Sequence, residues 1–312
     1  MNYLITGAAG FLGSALANRL TKEDHLVRGL DDLSSGDRNR LSPDVQFSIG
    51  DVNNRSLLWT QLKDIDCVYH LAARVSVPES ILYPREYNAV NVGGTVSVME
   101  AMRDVGVKRV VLISSGAVYG TQGEQPLREN AVPNPRSPYA VSKLAAEYYV
   151  RTIGSLYGIE TVSLRVFNAY GPGQPLPASH PPLIPHFLRQ TARGGTLVLH
   201  GDGAQTRDFI FIEDVIDAMV AASTAPTVDR QVINIGSGIE HSILNIAQAV
   251  IECLEKEAHW IFSEDSDPGP NRMCADMSLA QEKLDFFPRV SLEEGLRLTA
   301  LRDDRFSLVD SD

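Results

Sequence analysis

A tyrosine and a lysine four residues apart are the side chains of this chain best suited to move a proton. Tyr139 and Lys143 lie in a segment with a helical pattern, and this spacing puts both on one helix face. A free phenol has a pKa of about 10, so its phenolate is scarce at neutral pH. Because a neighbouring ammonium favours the charged form, we predict a lowered pKa and a general acid–base role for Tyr139.

Further polar side chains are expected at the same place. Ser114 and Ser115 end one buried strand, and the segment 165–168, which includes Arg165 and Asn168, ends the next. The carboxyl ends of parallel strands meet at one edge of a sheet, where open α/β sheets bind ligands. An isolated Tyr-x-x-x-Lys is common as an ordinary surface pair, so this convergence is what favours chemistry.

Glycines 7, 10 and 13 form a turn between the first predicted strand and the first predicted helix. Such a turn lets the backbone approach a ligand closely, and the following helix offers unpaired N–H groups to a pyrophosphate. Asp31 ends the second strand, where a carboxylate can accept both hydroxyls of a ribose and repel a 2′-phosphate. We therefore predict NAD as the cofactor, and its positive nicotinamide ring would lower the pKa of Tyr139 further.

Two later segments are expected to complete this cofactor site. Asp51 and Val52 follow the third strand and are placed to reach the adenine. Leu71, Ala72 and Ala73 follow the fourth strand and supply small side chains where a dinucleotide crosses the sheet edge.

Strands alternate with helices over the first 170 residues, which predicts a doubly wound parallel (Rossmann) α/β sheet. The predicted strands are Asn2–Thr6, His25–Leu30, Val45–Ile49, Asp66–Leu71, Arg109–Ser114 and Thr161–Val166. The predicted helices are Phe11–Thr21, Ser56–Leu62, Asn91–Val105 and Tyr139–Tyr157.

The alternation is interrupted after Gly171, where six prolines within 171–185 predict an irregular crossover. We interpret a strand at Asp208–Ile212, a helix at Glu213–Ser223 and a strand at Gln231–Ile235 as a return of the chain to the first lobe. We thus predict an NAD-binding domain of residues 1–170 with a return segment of about 208–240. Residues 171–207 and 241–312 would form a smaller mixed α/β substrate domain, with helices after Ser242 and at Ser291 and a loose tail from Asp303.

Composition excludes several classes of protein. The 312 residues carry 28 basic and 39 acidic side chains, a net charge of −11, which argues against nucleic-acid binding. The sequence has no run of apolar residues long enough to span a membrane. Three scattered cysteines show no metal-ligand spacing, so we expect no metal and a cytoplasmic location.

Six motifs, taken together, resemble the extended short-chain dehydrogenase/reductase family and its nucleotide-sugar branch around UDP-galactose (UDP-glucose) 4-epimerase. They are Thr-Gly-x-x-Gly-Phe-x-Gly (6–13), Asp-Asp-Leu-Ser-Ser-Gly (31–36), His-Leu-Ala-Ala (70–73), Asn-Val-Gly-Gly-Thr (91–95), Ser-Ser-Gly-Ala-Val-Tyr-Gly (114–120) and Tyr-x-x-x-Lys (139–143). The resemblance extends from Met1 to about Leu298.

The resemblance implies NAD-dependent 4-epimerisation of a UDP-hexose through a transient 4-keto sugar. Ser115, Tyr139 and Lys143 would be catalytic. The cofactor contacts would be Gly7, Gly10, Phe11, Leu12, Asp31, Asp32, Leu33, Ser34, Ser35, Gly36, Asp51, Val52, Leu71, Ala72, Ala73, Asn91, Tyr139, Lys143 and Phe167. The substrate contacts would be Ser76, Ser115, Tyr139, Asn168, Leu183, Val198, His200, Arg207 and Arg272.

Asn168 and Arg207 are expected to hold the diphosphate, and a guanidinium suits that task because it binds phosphate oxygens in pairs. The alternative for Arg207 is a pair with Asp208. The family's usual diphosphate arginine is missing from Ser263–Pro270, so Arg272 would replace it from a shifted position. Because of this departure, TDP, GDP and CDP sugars stay alternative substrates.

Gly116 and Ala117 stand where related dehydratases and decarboxylases carry acids, which disfavours both reactions. UDP-glucose/UDP-galactose is the first choice of substrate, followed by the UDP-N-acetylhexosamine pair, because flexible Met273 stands at the position that controls space near C2. UDP-glucuronate epimerisation, a net reduction and a catalytically inactive NAD sensor remain alternatives.

Family members commonly dimerise through the helices matching Asn91–Val105 and Tyr139–Tyr157, so we expect a homodimer, with 145–149 contributing apolar contacts.

Overall fold

A computed structural model describes residues 1–263 and 271–306. No helix within these ranges is long and apolar enough to cross a membrane. The strands are, in chain order, β1 (Asn2–Thr6), β2 (Leu26–Asp31), β3 (Gln46–Ile49), β4 (Cys67–His70), β5 (Arg109–Ser115), β6 (Glu160–Val166), β7 (Asn168–Tyr170), β8 (Leu197–His200), β9 (Thr206–Phe211), β10 (Gln231–Ile235), β11 (Glu240–Ser242) and β12 (Trp260–Ser263).

The helices lie between and after these strands. They are α1 (Phe11–Lys22), α2 (Arg55–Gln61), α3 (Val77–Leu82), α4 (Pro84–Tyr87), α5 (Gly94–Val105), α6 (Pro138–Tyr157), α7 (Leu183–Ala192), α8 (Ile212–Thr224), α9 (Ile243–Leu254), α10 (Ser278–Leu284) and α11 (Leu292–Arg302). The predicted helix over Asn91–Val105 is in fact a π-helical turn, Asn88–Gly93, followed by α5.

Seven strands form one parallel sheet in the order β10-β6-β5-β4-β1-β2-β3. The six strands predicted over the first 170 residues are confirmed, with ends that differ by at most one residue. The chain winds outward from β1 to β3 and then returns to place β4 on the other side of β1. The crevice at the carboxyl ends of β1 and β4 is therefore the topological switch point, where such sheets bind ligands.

Of the two strands in the predicted return segment, only β10 joins the main sheet. β10 does pair with β6, but β9 belongs to a separate three-stranded sheet, β11-β9-β7. The outer edge of β6 is occupied by β10, and the strand predicted near Asp208–Ile212 lies in the small sheet. The division into a cofactor domain and a substrate domain stays a prediction.

Prolines fall where the backbone tolerates them. Residues 171–182 contain no helix or strand, as predicted, but the irregular segment ends earlier than position 185. Pro185 is the third residue of α7, within the first turn, where a backbone N–H has no intrahelical acceptor and its loss costs little.

Serine side chains cap the starts of several helices. The Ser137 hydroxyl accepts from the N–H of Ala140 at the start of α6, and Ser242 caps α9 in the same way. Ser291 caps α11 as predicted. The tail is better anchored than expected, because Phe306 is only 1% exposed, whereas 307–312 lie outside the described residues.

Candidate active site

The glycine turn after β1 packs so closely that side chains would not fit. Gly7 has φ +72°, and a Cβ there would lie 2.7 Å from the backbone nitrogen of Ala72. A Cβ on Gly13 would overlap the carbonyl oxygen of Gly7. Gly10 is the N-cap of α1 and no side chain caps this helix, so its first backbone N–H groups lack a side-chain acceptor. This cradle fits a pyrophosphate.

Asp31 is tied directly to the glycine turn. Its Oδ2 accepts from the N–H of Ala9 at 2.9 Å and its Oδ1 from the N–H of Leu33 at 2.8 Å. Burial raises the pKa of this carboxyl group, and the two backbone donors oppose that rise. A carboxylate has about four acceptor positions, so two remain for ribose hydroxyls. Gly36 packs against the same carboxylate. Asp31 therefore fits a dinucleotide without a 2′-phosphate.

The other residues predicted to bind the cofactor differ in the solvent exposure of their side chains. Val52 is buried under Gly94, whereas Asp51 is exposed and accepts from the N–H of Asn53 at 2.8 Å. The exposed residues of the segment after β2 are Asp32, Ser34 and Ser35. Phe167 is buried and its ring lies against Gly116. Their contacts with the cofactor stay proposals.

A buried hydrogen-bond chain that the sequence did not reveal joins β1, β4 and α5. The Thr95 hydroxyl donates to the carbonyl of Asn91 at 2.6 Å, so it must accept from Nε2–H of His70 at 2.9 Å. His70 Nδ1 is then the acceptor for the Thr6 hydroxyl at 2.7 Å. Burial lowers the pKa of His70 to about 3, which keeps the ring neutral. The only sequence signal was the His-Leu-Ala-Ala motif itself.

The chain of contacts continues through Asn91 to the catalytic helix. The Asn91 amide group donates to the carbonyl of Arg74 at 3.0 Å and to the Ser142 hydroxyl at 2.9 Å. Its oxygen accepts from the N–H of Arg74 at 2.8 Å. Ser142 donates in turn to the carbonyl of Tyr139 at 2.7 Å. Asn91 therefore positions the residues around it, and a direct cofactor contact would use its remaining lone pair.

Ser115, Tyr139 and Lys143 do converge at the carboxyl end of β5. The Lys143 ammonium donates to the carbonyl oxygen of Ile113 at 2.8 Å. The Ser115 hydroxyl is hydrogen-bonded to the phenol of Tyr139 and also accepts from the N–H of Ala117 at 3.2 Å. The Tyr139 ring packs edge-on against Tyr87, with centroids 6.5 Å apart. The arrangement can exchange a proton with an alcohol held next to Ser115.

The expected lowering of the Tyr139 pKa is not found. Burial raises the pKa of this phenol, and the hydrogen bond from Ser115 only partly opposes the rise. Lys143 makes no lowering contribution to this pKa, and desolvation of the buried phenolate is the largest effect. A positive charge at the site, as an oxidised nicotinamide carries, is what would reverse this direction.

A buried ion pair, Glu147–Arg165, is hydrogen-bonded to Ser114, the residue before catalytic Ser115. Glu147 accepts from Arg165 through both oxygens, at 3.0 Å from Nε and 2.7 Å from Nη2, and also from the Ser114 hydroxyl at 2.5 Å. The run 145–149 was expected to be a shared apolar face, but Ala146 and Glu147 point inward. Only the two tyrosines of this run, Tyr148 and Tyr149, are exposed.

The two candidate diphosphate residues lie on neighbouring strands of the small sheet. Asn168 donates to the carbonyl of Asp208 at 2.8 Å, and Arg207, on β9, is half-buried. Asp208 accepts from the backbone of Ser237, Gly238 and Ala275, and from the Ser237 hydroxyl. The alternative pair between Arg207 and Asp208 is therefore wrong, because this carboxylate is satisfied by other donors.

The other residues predicted to bind the substrate differ in their exposure and in their present partners. Val198 and His200 share the exposed face of β8, and Leu183 begins α7. Ser76 caps α3 by accepting from the N–H of Glu79. Arg272 forms a two-pronged ion pair with Glu240, so it would have to leave this partner to reach a phosphate. Residues 264–270, which include most of the loop that lacks the usual arginine, lie outside the described residues.

Comparison with known proteins agrees with this geometry. The NAD dependent epimerase/dehydratase family matches residues 3–236. The chain belongs to this family. Membership confirms the doubly wound fold, the resemblance on which the site was predicted, and the expectation of an NAD cofactor.

Individual relatives of this epimerase/dehydratase chain differ in the sugar that they are named for. A UDP-glucose 4-epimerase from Mycolicibacterium smegmatis is 37% identical over 307 residues, 96% of this chain and 97% of the relative. A UDP-glucuronate 4-epimerase from Thermodesulfobacterium geofontis is 33% identical over 314 residues, 95% and 94% of the two chains. A UDP-N-acetylglucosamine 4-epimerase structure from Methanobrevibacter ruminantium, in complex with UDP-N-acetylmuramic acid, has a TM-score of 0.91 at 32% identity, covering 96% and 97%.

Proposed function

We propose that this protein interconverts UDP-glucose and UDP-galactose by NAD-dependent epimerisation at C4, with the UDP-N-acetylhexosamine pair as second substrates. The observation that carries the proposal is the convergence of Ser115, Tyr139 and Lys143 beside residues that cannot transfer protons. Gly116 and Ala117 follow Ser115 directly. Elimination of water or decarboxylation needs a further acid or base at that place, whereas reversible oxidation at C4 needs only one.

Each residue of the site has a distinct task in this reaction. Tyr139 takes the proton of the sugar 4-hydroxyl and later returns it. Ser115 holds the same oxygen by a hydrogen bond. Lys143, one helical turn after Tyr139, would hold the nicotinamide ribose and adds a positive charge to the site. When bound, NAD would supply reversible hydride transfer at C4 of the sugar. The glycine turn and Asp31 would hold the cofactor.

The nucleotide would lie on the smaller sheet. Arg207 and Asn168 stand on adjacent strands and offer N–H donors for a diphosphate. The exposed face of β8, with Val198 and His200, offers a surface for a base. Met273, which is partly buried among core residues, stands near the place expected for the sugar C2 substituent and can move aside for a larger group.

A substrate panel tests the proposal. The purified protein is incubated without added cofactor with UDP-galactose, UDP-N-acetylgalactosamine or UDP-glucuronate, and the products are separated by ion-exchange chromatography. We expect UDP-glucose to form fastest. Faster turnover of UDP-glucuronate than of UDP-galactose would make UDP-glucuronate the substrate. In a second incubation with added NADPH, steady consumption of NADPH would indicate a reductase. Bound NAD without any conversion would favour a sensor.

We also propose that the protein is a cytoplasmic homodimer. The three cysteines of the described residues are unpaired, as in a reducing compartment. Helix α6 exposes a large apolar set that a second copy would cover: Val141, Tyr148, Tyr149 and Leu156. Light scattering after gel filtration should give twice the mass of 34.1 kDa. Tyr149→Glu should shift the mass toward that of a single chain. A wild-type mass equal to that of one chain would contradict the dimer.

A further inference from the structure

Glu147 is a carboxylate with almost no access to solvent. It is 5% exposed, and Arg165, its partner, is 4% exposed. The Arg165 guanidinium also lies over the Tyr119 ring, 4.7 Å from its centroid. Burying two charges costs free energy that packing alone would not require, so a specific role is expected for the pair.

Two successive residues of β5 are bonded to α6 at this point. Lys143 donates to the carbonyl of Ile113, and one turn later Glu147 accepts from the hydroxyl of Ser114. The next residue of the strand is Ser115. The two contacts therefore fix the register between the strand that carries Ser115 and the helix that carries Tyr139.

We propose that Glu147 is a positioning residue for the reaction, which holds α6 on β5 through Ser114 and keeps Lys143 in its protonated form. This inference deepens the function proposed above and rests on it for its kinetic consequence. Its structural content, the charge state of Lys143, does not depend on which sugar is the substrate.

Electrostatics of the surroundings agree with this role. Burial lowers the pKa of Lys143 to about 8, and the Glu147 carboxylate opposes that fall. The Glu147 carboxylate has this effect with Arg165 in place as its ion-pair partner, so the pair as a whole favours the ammonium. Without Glu147, the ammonium would lose a proton near neutral pH.

The other titratable groups near Lys143 do not supply this negative charge. His70, from β4, is neutral because its pKa is about 3. Tyr139, on the same helix, has a raised pKa without cofactor and is uncharged in that state. Tyr87, from α4, has its pKa raised to about 12, and its partner Glu79 is paired with Arg74. Glu147 is the buried carboxylate that faces Lys143 among the described residues.

The test measures the pKa of Lys143 directly and compares it with the pH profile. The chain has six lysines, so 13C labelling at lysine Cε gives few NMR signals, and Lys143→Met assigns the one of interest. Glu147→Gln should move the Lys143 pKa down by about one unit, and Arg165→Met should move it up, because the carboxylate is then uncompensated. The alkaline limb of kcat should move in the same directions.

Two further variants keep the result interpretable. Glu147→Gln leaves Arg165 buried without its partner and can unfold the chain, so Glu147→Gln/Arg165→Met carries the same test with a neutral pair. Ser114→Ala breaks the link to β5 but keeps the charge, and should lower kcat several-fold without lowering the Lys143 pKa. Glu160→Gln, an exposed glutamate at the start of β6, is the matched control and should change neither.

The outcomes separate the two proposals. An unchanged Lys143 pKa in the folded double variant, or shifts of equal sign in Arg165→Met and the double variant, would overturn the positioning role. Absence of epimerisation in the wild type, with the predicted pKa shifts present, would overturn the proposed function and leave the role of Glu147 in setting the charge of Lys143 intact.

Discussion

The Nζ atom of Lys143 lies 2.8 Å from the carbonyl oxygen of Ile113, two residues before Ser115. A lysine on a helix is thus bound to the strand that carries the serine, and Tyr139 lies one turn earlier on the same helix. The three side chains belong to elements that pack together at the sheet edge, so their relative positions are set by packing and not by a flexible loop.

Replacing the phenol of Tyr139 should abolish the reaction while leaving the fold intact. Tyr139→Phe removes the proton acceptor, and we expect kcat for UDP-galactose to fall about 100- to 10 000-fold, the usual contribution of general acid–base catalysis. Tyr148→Phe, on the exposed face of the same helix, is the matched control and should retain full activity. Near wild-type turnover in Tyr139→Phe would remove this residue from the mechanism.

A methyl group on the glycine turn should weaken cofactor binding. Gly7→Ala puts a Cβ 2.7 Å from the Ala72 nitrogen and forces an alanine to keep φ +72°, which costs at least about 1 kcal/mol. We expect lower NAD affinity by isothermal titration calorimetry and a lower melting temperature. Gly123→Ala has open space around its Cβ and should match the wild type in both. Equal NAD affinity in Gly7→Ala would contradict the pyrophosphate cradle.

Two arginines can be compared as ligands of the substrate diphosphate. Arg207→Met should raise KM for the nucleotide sugar about 10- to 100-fold, as expected for the loss of a charged hydrogen bond. Arg272→Met only breaks an exposed pair with Glu240, so KM should change at most about twofold. Initial-rate measurements distinguish the two, and the reverse order would assign the diphosphate to Arg272.

Acid should destabilise this protein through His70. Its pKa is about 3 when folded and about 6.5 when unfolded, so the unfolded chain binds the extra proton between these values. The free energy of unfolding should therefore fall by up to about 1.4 kcal/mol per pH unit as pH drops below 6.5. Urea titrations of His70→Gln should show a shallower pH dependence than those of the exposed control His259→Gln. Identical slopes would mean that His70 is not the group responsible.

Much of the fold followed from local pattern. Buried β-branched runs such as 110–113 and the glycine turn before Phe11 were enough to predict six parallel strands and the edge where ligands bind. The pattern did not predict the partner of β9. The periodicity of a six-residue strand shows that it is a strand but does not show which other strand it pairs with. Its place in the small sheet was therefore known only from the structure.

The groups that can do chemistry were identifiable from the sequence alone: Ser115, Tyr139, Lys143, the glycine turn and Asp31. Local pattern places each of them within one helix, within one turn or at the end of a predicted strand. The tertiary structure was needed to show which buried residues hold these groups in place and how their pKa values shift. The Glu147–Arg165 pair and the chain from Thr6 through His70 to Thr95 join residues 18 to 64 positions apart. The direction of the Tyr139 pKa shift depends on burial against hydrogen bonding, a balance that exists only once the chain has folded.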